Sequence, residues 1–379
     1  MSYNPFDRGP HPVGVRSDSW RDSGRDRELP VEIWYPATDD FTGDDLDPAR
    51  QDAFLPGWAT EEDLDGGAPE DLVRQAAVRD ATVRPGTHPL ILLVHGWAGY
   101  RREATFLGTH LASHGYVVVA PDVLLSTFGD VDAFLSAQPV PGDPQALVDH
   151  VTAIAEARRA DVPFLIDSAA ARLDIAVDAV GITGASFGGW SSLQAPASDP
   201  RIAATVPMCP AGGRAPADGG YIGSLLDWNW HRPAPTLLLV ADRDSLLPLD
   251  GQFELLRRVP APDRQMVVLA NADHNHFVDD IDTGQQWLAE FADRVARIFP
   301  VSGGNWPLIA RSVVPRAELC SGDSAQLAWR GLITAHMDAH LRAEAEAQGL
   351  LDGGIARALA DRGVVASVVD DRRSAVAQR

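Results

Sequence analysis

A single serine stands among small residues in the segment AVGITGASFGGW, residues 179–190. Gly184, Ser186 and Gly188 match the pattern G-x-S-x-G. A serine hydroxyl is a poor nucleophile at neutral pH, and it needs a neighbouring base to take its proton. A sharp strand-to-helix turn exposes such a serine, and only small flanking residues tolerate the close backbone approach. The apolar run before the motif and the helical pattern after it predict this turn, with Ser186 as the nucleophile.

The base that this serine needs is predicted downstream, in the segment ANADHNHFVDD. The segment follows an apolar strand and offers two histidines, His274 and His276. His274 is preferred because it comes sooner after the strand, and His276 stays open as the alternative. A metal site at these histidines would need further ligands, so no metal is predicted.

An orienting carboxylate should lie between the serine and the histidine along the chain. The segment TLLLVADRDSLLP ends a predicted strand with Asp242 and Asp244. Asp244 is preferred because the residues that follow it suit the usual turn. Asp242 remains the alternative, with a turn-capping role for whichever aspartate is not used.

Two backbone amides must point at the negative oxygen that develops during attack on a carbonyl. One is expected from Phe187, the residue after the nucleophile, and the other from Trp97 in the segment LLVHGWAG, where Gly96 permits the turn. His95 in this loop is expected to be a structural hydrogen-bonding residue rather than a catalyst. Arg101 and Arg102, which follow the loop, are interpreted as solvated surface arginines, with contact to an acidic substrate group as the alternative.

The Gly-, Pro- and Trp-rich residues 209–234 interrupt the pattern of strands and helices. They predict a cap or lid over the edge of the sheet that carries the site, with a purely structural excursion as the alternative. Its aromatic residues Trp228, Trp230 and Tyr221 are candidates for the wall of an apolar acyl pocket, and ordinary core packing is the alternative.

The elements that must position these residues follow a regular order along the chain. Short apolar strands alternate with amphipathic helices, which predicts an α/β fold: a mostly parallel central sheet with helices on both faces. Such sheets carry their sites at the carboxyl ends of the strands. One domain is predicted over residues 1–345, with an acidic, solvated insertion at 38–80 and a helical or frayed tail at 346–379.

Composition excludes several classes of function. The chain has 379 residues, of which 45% are hydrophobic, and its net charge of −21 disfavours nucleic acid and anionic membranes as partners. It contains no lysine, which excludes a Schiff base and lysine-bound pyridoxal phosphate, and no cofactor is predicted. Cys209 and Cys320 cannot form a disulfide framework.

The N-terminal residues MSYNPFDRGPHPVG lack an apolar signal core, and no later run is long enough to span a bilayer. The expectation is therefore a cytoplasmic protein without integral membrane association, unless a leader has been removed. The oligomeric state stays open.

Several ordered segments together resemble the α/β-hydrolase superfamily, within the branch of dienelactone hydrolase-like and platelet-activating-factor acetylhydrolase-like proteins. The resemblance runs from about residue 10 to residue 345. The segments that carry it include HPLILLVHGWAG, HLASHGYVVVAPD, VGITGASFGGW, PTLLLVADRDSLLP and ADHNHF.

The resemblance implies Ser186 as nucleophile, Asp244 as acid and His274 as base, with the amides of Trp97 and Phe187 as oxyanion donors. The chain also departs from its relatives. Dienelactone hydrolases proper use a cysteine where this chain has Ser186, and the segment ATVPMCPAGG lacks the carboxylate that animal acetylhydrolases carry there.

The predicted function is a cofactor-independent serine hydrolase that cleaves carboxylic esters of small or lipid-like molecules through an acyl-enzyme. An acyltransferase with the same triad is the alternative. A cutinase-like polyester hydrolase and a non-catalytic binding module are the remaining hypotheses.

Overall fold

The computed structural model describes residues 3–57, 72–214, 220–300 and 305–371. Ten strands form one sheet in the order β12-β11-β10-β9-β8-β6-β7-β2-β1-β5, and β3 pairs with β4 in a separate small sheet. The six strands β6 to β11 run parallel to one another, as predicted for a mostly parallel sheet, and the strands that flank them, β2 and β12, are antiparallel. The strands are β1 (Val13–Asp22), β2 (Arg27–Pro36), β3 (Asp52–Phe54), β4 (Val73–Gln75), β5 (Val78–Arg79), β6 (His88–Val94), β7 (Val117–Pro121), β8 (Ile175–Ala185), β9 (Ile202–Met208), β10 (Thr236–Ala241), β11 (Arg264–Leu269) and β12 (Ala366–Asp370).

Helices cover both faces of this sheet. They are α1 (Thr105–Ser113), α2 (Phe128–Ser136), α3 (Pro144–Arg172), α4 (Phe187–Ser198), α5 (Tyr221–Ser224), α6 (Leu249–Arg258), α7 (Ile281–Ile298), α8 (Trp306–Ser312), α9 (Gly322–Leu341), α10 (Ala345–Gly349) and α11 (Ile355–Ala360). Among the described residues, no helix has both the length and the apolarity needed to cross a membrane.

The central strands read as continuous apolar runs because both of their faces are buried. In β10, Leu237 and Leu239 belong to the core cluster that also holds residues of α1 and α9. Leu238 and Val240 point to the opposite cluster, which holds residues of α3, α6 and α7. The sheet is therefore the middle layer of three, and the carboxyl ends of its parallel strands meet at one edge.

The C-terminal segment is more ordered than the predicted frayed tail. Residues 366–370 form β12, which pairs antiparallel with β11 from Gln265↔Asp370 to Leu269↔Ala366. An unpaired β11 would expose a row of backbone donors and acceptors at the sheet edge, and β12 satisfies them. The predicted helical or frayed tail at 346–379 thus contains the helices α10 and α11 and, beyond them, the strand β12, while residues 372–379 lie outside the described residues.

The two predicted surface segments also pack more closely than expected. In the acidic insertion at 38–80, of which residues 58–71 lie outside the described residues, the carboxylates of Asp45 and Asp52 are buried and paired with arginines. The predicted lid at 209–234, of which residues 215–219 lie outside the described residues, packs on α3 and α4 through residues 221 and 222 and does not line the cavity at the site. The hydroxyls of Tyr221 and Thr152 lie 2.6 Å apart, and the Trp190 indole donates to the Ile222 carbonyl at 3.1 Å.

Candidate active site

Ser186 occupies a strained turn between β8 and α4. Its backbone adopts φ 57° and ψ −115°, a region that side-chain-bearing residues rarely enter. The glycines on either side make this turn possible: a Cβ at Gly184 would lie 2.1 Å from the Val94 carbonyl oxygen, and one at Gly188 would lie 1.8 Å from it. The G-x-S-x-G spacing is therefore required by the contact of this turn with β6. The turn also sets the positive N-terminal end of α4 beside Ser186.

His274 and Asp244 lie together at the same edge of the sheet. Nδ1 of His274 is 2.9 Å from Oδ2 of Asp244, and the Asp244 side chain is almost fully buried. Oδ1 of Asp244 accepts hydrogen bonds from the backbone amides of Leu246 at 2.9 Å and Leu247 at 2.7 Å. These bonds fix the carboxylate, which leaves Oδ2 to orient the imidazole. Ser186 and His274 line one common cavity.

His276 and Asp242, which the sequence left open as the alternative base and acid, have other hydrogen-bond partners. Nδ1 of His276 lies 3.1 Å from both the backbone N and the carbonyl oxygen of Asp273, and its Nε2 is 3.2 Å from the Cys320 carbonyl oxygen. Asp242 is exposed, and its Oδ1 accepts from the Ala272 amide at 3.3 Å. Both residues therefore have local structural roles.

The loop after β6, called the oxyanion loop below, holds Trp97, and the other amide predicted as an oxyanion donor, that of Phe187, begins α4. Trp97 follows Gly96, whose amide donates to Oε1 of Glu103 at 3.1 Å. Beneath the loop, Nδ1 of His95 is 2.8 Å from the Gly96 carbonyl oxygen, while Nε2 accepts from the Val123 amide at 2.8 Å. These two bonds fix the tautomer of His95 and give it the structural role that was expected. Among the described residues, the amides of Trp97 and Phe187 donate to no protein acceptor, so both are free for a ligand oxygen.

The two arginines after this loop are not the solvated residues that the sequence suggested. The guanidinium of Arg102 lies 3.0 Å from the buried carboxylate of Glu32. Arg101 pairs with Asp122 and also lies near Glu32. Because these acidic partners are fixed inside the fold, both arginines serve its structure.

Arg158 on α3 holds the oxyanion loop from below, and no sequence motif identified it. Its guanidinium donates to the carbonyls of His95 at 2.9 Å and Gly96 at 3.1 Å. It also donates to the hydroxyls of Ser126 at 2.8 Å and Ser191 at 3.1 Å. The side chain is almost fully buried, and burial lowers the pKa of its guanidinium to about 9. One side chain of α3 thus ties the oxyanion loop to α4.

We expect Arg158→Met to lower both the free energy of unfolding and kcat. Methionine fills similar volume but takes the guanidinium donor away from the buried carbonyls of His95 and Gly96, of which Gly96 keeps the Ser126 hydroxyl as a donor, a loss on the order of 1–3 kcal/mol. The loop amide of Trp97 would then be less well fixed, and kcat should fall by about tenfold or more. Urea unfolding and steady-state kinetics measure the two effects. Arg159→Met, on the next position of α3, is the matched control, and equal losses in both variants would contradict this role.

Cys209, at the end of β9, is a further residue that the motifs missed. Both cysteines are free thiols, and the Cys209 thiol lies against the His274 imidazole. The potential ligand atoms of Cys209, Asp244 and His274 lie within 4.8 Å of one another, the one such group among the described residues. Each oxygen of Asp244 already has a hydrogen-bond partner, however, so this arrangement fits an oriented imidazole better than a metal centre.

A cavity of about 440 Å³ opens beside Ser186 and His274. Its aromatic wall differs from the predicted one and consists of Trp97, Tyr100, Phe128, Trp287, Phe291 and Trp306. The sequence-predicted pocket residues Trp228, Trp230 and Tyr221 do not line this cavity. Trp228 and Trp230 stack on each other at 6.3 Å and pack against the core under the predicted lid segment. Trp287 and Phe291 stand four residues apart on α7, a spacing that is also typical of a helix face packed on a core, so the sequence did not single them out.

We expect kcat/KM to rise with pH through an ionisation well above 6.5, because a general base must be neutral to accept a proton. Burial by itself lowers the pKa of His274, but the Asp244 carboxylate outweighs burial, and the pKa lies well above its ordinary value. A profile of kcat/KM from pH 5 to pH 10 measures this rise on the acid side.

A second group near the site could titrate in the same range, because burial raises the pKa of Glu103 to about 7. Glu103→Gln is therefore the control: an acid limb that disappears in this variant would belong to Glu103 and contradict the assignment to His274.

A mostly parallel sheet with a serine elbow, and with a histidine and an aspartate at the same carboxyl edge, defines the α/β-hydrolase class. Within that class the chain belongs to the dienelactone hydrolase family, whose family model matches residues 76–292. The membership predicted from the sequence is confirmed.

Comparison with known proteins gives relatives that act on esters. The chain is 28% identical over 192 residues to a bis(hydroxyethyl) terephthalate hydrolase of Streptomyces coelicolor, covering 50% of this chain and 51% of that protein. It is 23% identical over 222 residues to cutinase est1 of Thermobifida alba, covering 56% and 63%. The match thus spans about half to two thirds of the length of these relatives. A solved ferulic acid esterase from Streptomyces cinnamoneus has the same fold, with TM-score 0.56 and 22% identity over 88% of this chain and 91% of that one.

Proposed function

We propose that this protein is a serine hydrolase of carboxylic esters. The observation that carries the proposal is the 2.9 Å contact between Nδ1 of His274 and Oδ2 of Asp244, at the cavity that Ser186 also lines. An imidazole held in this way by a carboxylate has the tautomer that leaves Nε2 free to accept a proton. The named activities of the relatives, hydrolysis of terephthalate esters and of cutin, support the same reaction class.

In the proposed reaction, Oγ of Ser186 attacks the ester carbonyl while Nε2 of His274 takes its proton. The amides of Trp97 and Phe187 bind the oxyanion of the tetrahedral intermediate. His274 then protonates the leaving alcohol, and an acyl-enzyme remains on Ser186. Water, activated by the same imidazole, attacks this acyl-enzyme and releases the carboxylic acid. No step needs a cofactor or a metal.

The wall of the cavity favours esters with an aromatic or similarly flat acyl group. Flat rings pack against Trp97, Trp287 and Phe291 with large apolar contact. Bis(hydroxyethyl) terephthalate and ferulate esters, the substrates named for a relative and for the structural neighbour, have such rings. A cavity of about 440 Å³ suits one small ester.

A series of p-nitrophenyl esters, from acetate to long acyl chains and benzoate, tests the proposal. We expect release of p-nitrophenol together with one equivalent of free carboxylic acid. If neither is released from any ester, hydrolysis is excluded.

The same reaction with added alcohol or amine tests the alternative: an acyltransferase would divert most of the acyl group to the added nucleophile. Release of soluble carboxylic acid from polyester films tests the hypothesis of a polyester hydrolase. A cytoplasmic location stays a prediction, for which cell fractionation is the measurement.

A further inference from the structure

The cavity beside Ser186 is lined by acidic residues as well as aromatic ones. Its carboxyl groups belong to Glu103, Asp279, Asp280 and Glu290. No arginine stands among the described lining residues, and the chain contains no lysine. The basic side chain in this lining is His274, whose imidazole is paired with the Asp244 carboxylate. A ligand that enters the cavity therefore meets four further carboxyl groups and the aromatic rings.

One face of α7 carries both an acidic and an aromatic lining residue of the cavity. Thr283, Trp287 and Glu290 recur at the spacing of helix turns and all line the cavity. Glu290 thus lies one turn from Trp287, and Asp280 caps the same helix by accepting from the Thr283 amide at 3.0 Å. A carboxylate next to an indole is a favourable combination for a cation, because the carboxylate and the ring face both attract positive charge.

The two inner carboxyl groups are anchored by the backbone. Asp279 accepts from the amides of Thr105 at 2.9 Å and Phe106 at 2.8 Å, which are the first residues of α1. Glu103 accepts from the Gly96 amide. Burial raises the pKa of Asp279 to about 6 and that of Glu103 to about 7. Both are ionised at pH 8, so the negative potential of the cavity is strongest under mildly alkaline conditions.

Arg158, a basic residue close to the site, does not line the cavity. The Arg158 guanidinium lies behind the oxyanion loop, where four acceptors hold it and the Phe187 ring covers it at 4.7 Å. Outside the site, the chain as a whole carries a net charge of −21, which attracts cations and repels anions over longer distances.

We propose that the cavity selects esters by charge: it favours esters with a cationic ammonium group over neutral ones, and it rejects esters with a free carboxylate. The inference rests on the proposed ester hydrolysis and names the substrate class of the same site. An anionic ester would have to bring its charge close to carboxylates in a partly desolvated cavity. A quaternary ammonium would meet the Glu290 carboxylate and the Trp287 ring instead.

Three esters of one shape test this selectivity. They are benzoylcholine, its uncharged isostere in which C(CH₃)₃ replaces N(CH₃)₃⁺, and a benzoate ester of similar length that ends in a carboxylate. Binding is measured at pH 8 and low salt to Ser186→Ala, whose cavity tryptophans report occupancy by fluorescence. We expect the cationic ester to bind at least about tenfold more tightly than the neutral one, and the anionic ester at least about tenfold more weakly. Added salt should narrow these differences.

This measurement separates the inference from the proposed function, because it does not need turnover. Equal binding of the neutral and anionic esters would overturn the charge selectivity, whatever the catalytic activity. Hydrolysis of the neutral ester by the unmodified protein tests the proposed function separately.

A charge reversal inside the cavity tests the local origin of the effect. Glu290→Lys should raise the ratio of kcat/KM for the anionic ester to kcat/KM for the cationic ester by about 100-fold. Glu156→Lys is the matched control, since Glu156 is exposed on α3, does not line the cavity and gives the same change in net charge. The same response in both variants would assign the selectivity to the overall charge and overturn the proposed site.

Discussion

Ser186→Ala is expected to lower kcat/KM for ester hydrolysis by a factor of about 10⁴ to 10⁶. The substitution removes the hydroxyl oxygen that is proposed to form the acyl-enzyme, while the amides proposed as oxyanion donors and the cavity stay in place. Activity that remains should be close to the level that binding and oxyanion stabilisation give by themselves. Steady-state kinetics with p-nitrophenyl esters measure the loss, and a fluorophosphonate probe should modify a peptide that contains Ser186.

The fold of this variant should be unaffected, because alanine keeps the Cβ of Ser186 and the two flanking glycines keep the turn. We expect the free energy of unfolding to change by less than about 0.5 kcal/mol. Ser198→Ala, at the other end of α4, is the matched control and should keep full activity. A Ser186→Ala variant with unchanged turnover would exclude Ser186 as the nucleophile.

Asp244→Asn is expected to lower kcat by about 10⁴ with little change in KM. The physical reason lies in the partners of this side chain. The amides of Leu246 and Leu247 both donate to Oδ1, so the carbonyl oxygen of asparagine must stay there and its NH₂ group must face His274. Nδ1 would then become the acceptor and Nε2 would carry the proton, which prevents His274 from acting as a base.

Asp242→Asn is the matched control for this prediction. Asp242 is exposed, and an asparagine there can still accept from the Ala272 amide. Its kcat should stay within about twofold of the unmodified protein. A large loss in Asp242→Asn with normal activity in Asp244→Asn would assign the acid to the other aspartate and contradict the proposed triad. Circular dichroism and thermal unfolding of both variants separate misfolding from the loss of the base.

The pattern of apolar residues along the sequence was enough to predict the central strands of the sheet. Parallel strands buried on both faces must be apolar at every position, so segments such as TLLLVA and RQMVVL identified β10 and β11 directly. The elbow was also predictable, because Gly184 and Gly188 are required by the close contact with Val94. Polar residues that end such strands meet at one edge of the sheet, and for this reason His274 and Asp244 could be chosen before their contact was seen.

Other features depend on partners that are far apart along the chain. The expected wall of Trp228 and Trp230 failed because an aromatic residue after a glycine-rich segment gives no information about which side of the sheet it covers. The cavity wall instead comes largely from α7, whose Trp287 and Phe291 have the same spacing that a purely structural helix face would have. The strand β12 was missed because a short half-buried edge strand has no strong apolar pattern.

For this protein, the sequence by itself determined the order of strands and helices, the serine turn and the residue types at the strand ends. These depend on local backbone geometry and on the repeat of apolar positions. Only the tertiary structure decided which histidine and aspartate meet, that Arg158 holds the oxyanion loop, and that four carboxyl groups share the cavity with an aromatic wall. Such contacts join residues that are distant in sequence, so they arise only when the helices pack on the sheet and bring those side chains within hydrogen-bonding distance.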